Sequence, residues 1–128
     1  MQAEAICRAA VEALEDIKAE DIVVMNVRKM SSLFDYVIVA SAESTRQARA
    51  LANNVQEKLR KIGSRVLGVE GEHAGEWVLV DLGDVIVHVM QPTVRAYYNL
   101  EQLWGGNAAK RRPSDRLAAD GENRTASA

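Results

Sequence analysis

Between Glu70 and His88 the chain gathers residue types that hold metals and move protons: Glu70, Glu72, His73, Glu76, Asp81, Asp84 and His88. Carboxylates this close together suit metal-assisted transfer, which needs at least two of them on one ion with space beside it for a substrate. Their context points elsewhere. Glu70, Glu72 and Glu76 flank a glycine-containing loop, Asp84 falls in a tight turn, and Asp81 sits beside an aliphatic run, so the spacing does not bring them to one point. Neither histidine has a Ser or Cys nucleophile at a recognisable spacing. Gly68, Gly71, Gly75 and Gly83 are spread over turns and form neither a phosphate loop nor GxGxxG. The expectation is a protein with no catalytic residues, no metal site and no cofactor, in which these polar groups serve recognition.

The element that must position them is a β-hairpin, written as EGEHAGEWVLVDLGDVIVHVM from Glu70 to Met90. With Gly83 and Asp84 as the two turn residues of a Gly-X, type II′ loop, Trp77 lies opposite Met90, Leu79 opposite His88, and Asp81 opposite Ile86. One face then collects Val78, Val80, Leu82, Val85, Val87 and Val89, an ordinary core set. The other face, Trp77, Leu79, Asp81, Ile86, His88 and Met90, combines an apolar centre with polar anchors, as surfaces that meet another macromolecule do. A buried Trp77 filling space beside Tyr97 or Trp104 is the competing reading. Docking is preferred because the aliphatic face already supplies a core, whereas Asp81 and His88 would need partners if enclosed.

Around the hairpin, periodicity predicts a helix over about 3–19 with Ile6, Ala10, Ala13, Leu14 and Ile17 on one stripe, then a strand over 22–27. A second strand over 35–42 is continuously apolar at its centre, which suits the middle of a sheet. Ser44 and Gln47 have capping-box spacing, and Ala48, Leu51, Ala52, Val55, Leu59 and Ile62 follow on one helical face before Gly63 stops it. A strand over 65–69 completes a strand, helix, strand unit with the look of a right-handed crossover between parallel strands. Pro92 opens a last helix through Trp104 that buries Val94, Tyr97, Leu100, Leu103 and Trp104, with Gly105 and Gly106 ending it. The result is a single α/β domain over 1–106, a mixed five-stranded sheet flanked by helices. Residues 107–128 have one large hydrophobe, Leu117, and read as a disordered basic tail.

Hydrophobic residues make up 48% of the 128, which suits one domain with its own core. No apolar run is long enough to cross a bilayer, and acidic groups interrupt the N-terminus where a signal peptide would be apolar, so a cytoplasmic protein is expected. A single Cys7 excludes an intrachain disulfide and reads as a small buried helix residue. Residues 1–107 hold 11 Lys and Arg against 15 Asp and Glu, while 108–128 hold 5 against 3. An acidic body is a poor binder of phosphate backbones and a better match for a basic protein. Lys110, Arg111 and Arg112 in the tail are read as solvating charges.

Three segments, DYVIVASAESTRQARALANNV from Asp35, GVEGEHAGEWVLVDLGDVIVHVMQ from Gly68 and YNLEQLW from Tyr98, make the chain resemble the ribosomal silencing factor family, also called Iojap. The resemblance covers nearly everything from about residue 3 to 105. It implies a fold similar to nucleotidyltransferases without their activity. Such enzymes carry a Gly-Ser turn followed by Asp-x-Asp, whereas here Ser31 and Ser32 precede a lone Asp35, with Val37 where the second Asp would stand. It also implies docking on the large ribosomal subunit through its protein number fourteen, at the face where the small subunit joins. Joining is then blocked and translation repressed, and some relatives act in subunit assembly. Carried over by position, the recognition surface includes Trp77, Leu79, Asp81, His88 and Met90 with Tyr98 nearby. By the hairpin register Ile86 shares their face, and the acidic groups Glu70, Glu72 and Asp81 are expected to meet Lys or Arg around an inserted Trp77. The basic tail after Gly106 is longer than in compact members. The expected partner is thus a basic ribosomal protein, with no membrane and no sequence-specific nucleic acid. A cryptic nucleotide-binding enzyme and a homodimer of the free protein are the alternatives.

Overall fold

The computed structural model describes residues 2–104 and the backbone of 109–111. Alanine-rich sequence with a strong apolar stripe forms α1 (Ala3–Asp16), which buries Ile6, Cys7, Ala10, Val11, Ala13 and Leu14 and ends one turn earlier than the periodicity predicts. Lys18, at positive φ, turns the chain into β1 (Glu20–Asn26), and Asp21, also at positive φ, lies inside that strand where its pairing register is irregular. β2 (Tyr36–Ser41) is buried at every position, as its unbroken apolar run requires.

The Ser44 hydroxyl accepts from the Gln47 N–H at 3.0 Å and starts α2 (Thr45–Lys61). The Gln47 side chain accepts from the Glu43 N–H and donates to the carbonyls of Ile17 and Lys18, so the cap also holds the end of α1. Ala48, Leu51, Ala52, Val55 and Leu59 are buried as expected. Ile62, predicted on the same stripe, is 41% exposed because it lies past the last helical residue. β3 is only Gly68–Glu70, shorter than the predicted strand, followed by β4 (Trp77–Asp81) and β5 (Val85–Met90).

Strand order is β3-β4-β5-β2-β1, with β6 (Ala109–Arg111) added at the β1 edge. β2 and β5 are parallel and the other pairs antiparallel. The five expected strands therefore form a mixed sheet, and β3 runs in the same direction as β2 with β4 and β5 between them. The hairpin register matches the expected one, Trp77 facing Met90, Leu79 facing His88 and Asp81 facing Ile86. Gly83 has φ +94, and the Leu82 N–H donates to the Val85 carbonyl across the turn. β6 forms inside the segment expected to be a disordered tail, and that expectation is corrected for its three residues; the rest of that segment lies outside the described residues.

The main core lies between the sheet and α1 with α2, where Ile22, Val24, Ile38, Val78, Val80, Val85, Val87 and Val89 meet Leu14, Leu51, Val55 and Leu59. Each such side chain contributes about 1.5–3 kcal/mol by leaving water. The last helix is broken. α3 (Pro92–Tyr98) stops at Asn99, which takes φ 49 and ψ 57, and α4 (Leu100–Leu103) follows. The break turns Tyr97 (80% exposed) and Leu103 (71% exposed) outward, although one continuous helix was expected to bury both.

Candidate protein-docking site

Strand alternation sends Val23, Met25, Val37, Val39 and Met90 to the sheet face opposite α1 and α2, where they form a second, smaller core. Val94, Leu100 and Trp104 from α3, α4 and the residue after it pack against this cluster, together with Phe34 and Trp77. Arg95 fastens the cover. Its guanidinium donates to the Ser41 hydroxyl on β2 at 2.8 Å and pairs with Glu101 of α4 at 3.1 Å.

The cover stops short of the β3–β4 end, so this face is closed over β1 and β2 and half open over the hairpin. At the boundary stands Trp77, partly buried. Its Nε1–H donates to His88 Nδ1 at 3.0 Å, and its ring lies 4.8 Å from that of Tyr98, centroid to centroid. Tyr98 in turn meets Tyr97 edge to face at 4.9 Å. An indole has one donor and no acceptor, so the bond requires an unprotonated Nδ1 on His88. Burial supplies it by pushing the imidazole down to about 4, which leaves His88 neutral at pH 7.

Beyond Trp77 the open end carries Leu79 and Asp81, both half-buried, with Glu70 exposed beside Leu79 on β3. Glu72 and His73 are exposed in the following loop, whose shape is fixed from several sides. Arg49 of α2 donates to the carbonyls of Glu72 and His73, and Gln91 donates to the Gly75 carbonyl at 2.9 Å. Gly71 has φ +85 and passes so close to β4 that a Cβ there would overlap the Trp77 carbonyl oxygen.

The sequence-predicted face is thus divided. Trp77, Leu79, Asp81, Tyr98 and Glu70 share the open end or its rim, whereas Glu72 lies in the loop held by Arg49 of α2, on the other side of the sheet. Met90 is fully buried and Ile86 is 5% exposed, so the expectation that these two present side chains to a partner is corrected. The reason is the β2–β5 pairing, which sets β5 in the middle of the sheet. His88, 9% exposed, is likewise removed from direct contact and instead serves Trp77. The Asp81 carboxylate accepts from the Gly83 N–H at 2.9 Å, which ties it to the hairpin turn. The competing reading of Trp77 is half right, since the indole packs on the second core with Trp104, while Tyr97 points to solvent.

Sequence reasoning missed Arg95, Arg49, Gln91 and Asn99. Only Asn99 left a local signal, an asparagine inside a helical pattern, the residue type that most readily takes the left-handed conformation after glycine. Arg95 and Ser41 are 54 positions apart, and nothing in either neighbourhood announces the other. Among the described residues no three His, Cys, Asp or Glu side chains gather where they could hold a metal ion. Val37, at the position of the missing second Asp, is buried in the second core. No helix among the described residues is long and apolar enough to cross a membrane.

The family model described as "Ribosomal silencing factor during starvation" matches residues 1–128. A ribosomal silencing factor of Chromobacterium violaceum is 55% identical over 106 residues, covering 83% of this chain and 87% of the relative. A crystal structure of a protein from the same organism superposes with a TM-score of 0.81 at 52% identity, covering 90% of this chain and 92% of the other. A mouse protein named for mitochondrial assembly of the ribosomal large subunit is 32% identical over 97 residues, covering 73% of this chain and 42% of its own length.

Proposed function

The chain belongs to the ribosomal silencing factor family, and from that premise we propose that it docks on the large ribosomal subunit through the basic protein numbered fourteen, at the face where the small subunit joins. Bound there, it keeps the subunits apart and represses translation. The observation that carries this reading is the aromatic corner of Trp77 and Tyr98, with ring centroids 4.8 Å apart, at the edge of a half-open sheet end that also carries Glu70 and Asp81. An apolar centre with an acidic rim complements a basic protein surface, the aromatics giving affinity and the carboxylates steering encounter. Exclusion requires no bond to be made or broken, so the protein acts as a cytoplasmic binding factor and not as an enzyme. Its effect follows mass action between two interfaces. The same docking on an assembling large subunit gives it a role in assembly, a reading supported by the mouse relative's name.

Cosedimentation with separated subunits tests this. The protein is expected to pellet with the large subunit, to block joining when the small subunit is added, and to lose both properties in Tyr98→Ala. Equal pelleting with both subunits, or normal joining with the protein bound, overturns the proposal.

A further inference from the structure

A docking anchor works best when its side chain is already in the bound orientation, because ordering a mobile side chain on association weakens binding by about three- to tenfold. Trp77 has no such order from its own strand. β4 is the next-to-edge strand, its neighbour β3 is three residues long, and the indole is only partly buried where it packs at the edge of the second core. Beyond that packing, two ring contacts set its orientation. Tyr98 lies against the ring, and His88, diagonally across the β4–β5 pairing, accepts its only hydrogen bond at 3.0 Å.

We propose that His88 is a positioning residue for the docking surface, an acceptor built into the sheet that locks the Trp77 indole against Tyr98 so that a partner meets a preformed aromatic step. This rests on the docking reading of Trp77 given above. His88 stands in the row Glu70, Leu79, His88, Val39 across four strands. It is 9% exposed, too deep to contact a partner yet within reach of the one polar atom of the indole. The geometry also sets the tautomer. With Nδ1 accepting, the ring proton is on Nε2. Within a row otherwise formed at this depth by Leu79 and Val39, a leucine or valine would fit the packing. A histidine adds an acceptor, and that acceptor is used.

The test compares His88→Leu, which keeps the bulk and removes the acceptor, with His88→Asn, whose Oδ1 sits near the position of Nδ1. Two readouts are needed: the indole N–H resonance of Trp77, assigned by its disappearance in Trp77→Phe, and affinity for the isolated large subunit. His88→Leu is expected to move the indole resonance upfield, speed its exchange with solvent and weaken large-subunit binding by about three- to tenfold. His88→Asn is expected to restore part of both, which a purely structural role for the imidazole would not produce. If His88→Leu binds as tightly as the parent while Trp77→Ala binds weakly, positioning is overturned and docking through Trp77 stands. If Trp77→Ala itself binds with full affinity, the docking reading fails and positioning fails with it. Should His88→Leu not fold, His88→Asn against His88→Phe gives the same comparison, and equal indole resonances in those two variants overturn the proposal.

Discussion

Arg95 reaches back across the break at Asn99 and lays its guanidinium on the Glu101 carboxylate, Nη2 to Oε2 3.1 Å, while its Nη1 donates to the Ser41 hydroxyl at 2.8 Å. One side chain thereby joins α3 to α4 and pins both to the end of β2, which holds the cover over the second core and Tyr98 beside Trp77. Arg95 is 9% exposed, so removing its carboxylate leaves a buried charge with reduced compensation. Glu101→Ala is expected to destabilise the protein by about 1 kcal/mol, the lower end of the usual range because Glu101 keeps some solvent contact. Arg95→Met breaks the Ser41 bond as well and strips the buried hydroxyl of this donor, so it is expected to lose more. Denaturant unfolding of both variants decides it, and a smaller loss in Arg95→Met contradicts the account.

Acid sensitivity follows from His88. Its folded value lies near 4, below the ordinary 6.5, because burial disfavours the charged ring. Between those values the unfolded chain binds a proton that the folded protein refuses, so stability is complete above about pH 6.5 and declines as pH falls toward 4. The loss from this one group amounts to at most about 3 kcal/mol. His88→Leu is expected to flatten the decline in melting temperature between pH 6.5 and 4. An equally steep decline in the variant would assign the acid sensitivity to other groups.

Two glycines with nearly the same φ separate backbone strain from steric contact. Gly63 (φ +84), after α2, has open space around a hypothetical Cβ, whereas Gly71 (φ +85) would place one against the Trp77 carbonyl. Gly63→Ala is expected to cost about 1–2 kcal/mol from the left-handed backbone alone. Gly71→Ala carries the same term and must also push β3 and the loop away from β4, so its loss is larger and the Trp77 fluorescence maximum shifts. Chemical denaturation with fluorescence detection measures both.

At the docking surface, affinity and encounter rate are expected to separate by residue. Tyr98 is 53% exposed, so Tyr98→Ala leaves the melting temperature close to that of the parent while weakening large-subunit binding by about tenfold or more, mainly through faster dissociation. Charge reversal at Glu70, an exposed rim position, and at the half-buried Asp81 is expected to slow association and reduce its dependence on salt. Stopped-flow or surface-based kinetics at two ionic strengths distinguishes the effects. Association rates unchanged by the charge reversals would remove the rim from the encounter.

What the sequence by itself determined is what depends on neighbours along the chain. The hairpin register follows from a glycine at the turn and alternation on either side, and the start of α2 follows from Ser44 and its bond to the Gln47 N–H. The main core could be named in advance for the same reason, since a side chain's direction in a helix or strand is set by local geometry. The tertiary structure alone decided which of those apolar faces are covered. Met90 and Leu79 lie on one face of one hairpin, yet Met90 is sealed and Leu79 half open, because β5 pairs with β2 and lies under the α3–α4 cover while β4 borders only a three-residue strand. The Trp77–His88 bond and the Arg95–Ser41 bond belong to the same class. Both join residues brought together by chain topology, and a hydrophobic pattern records that a residue avoids water without recording which residue shields it.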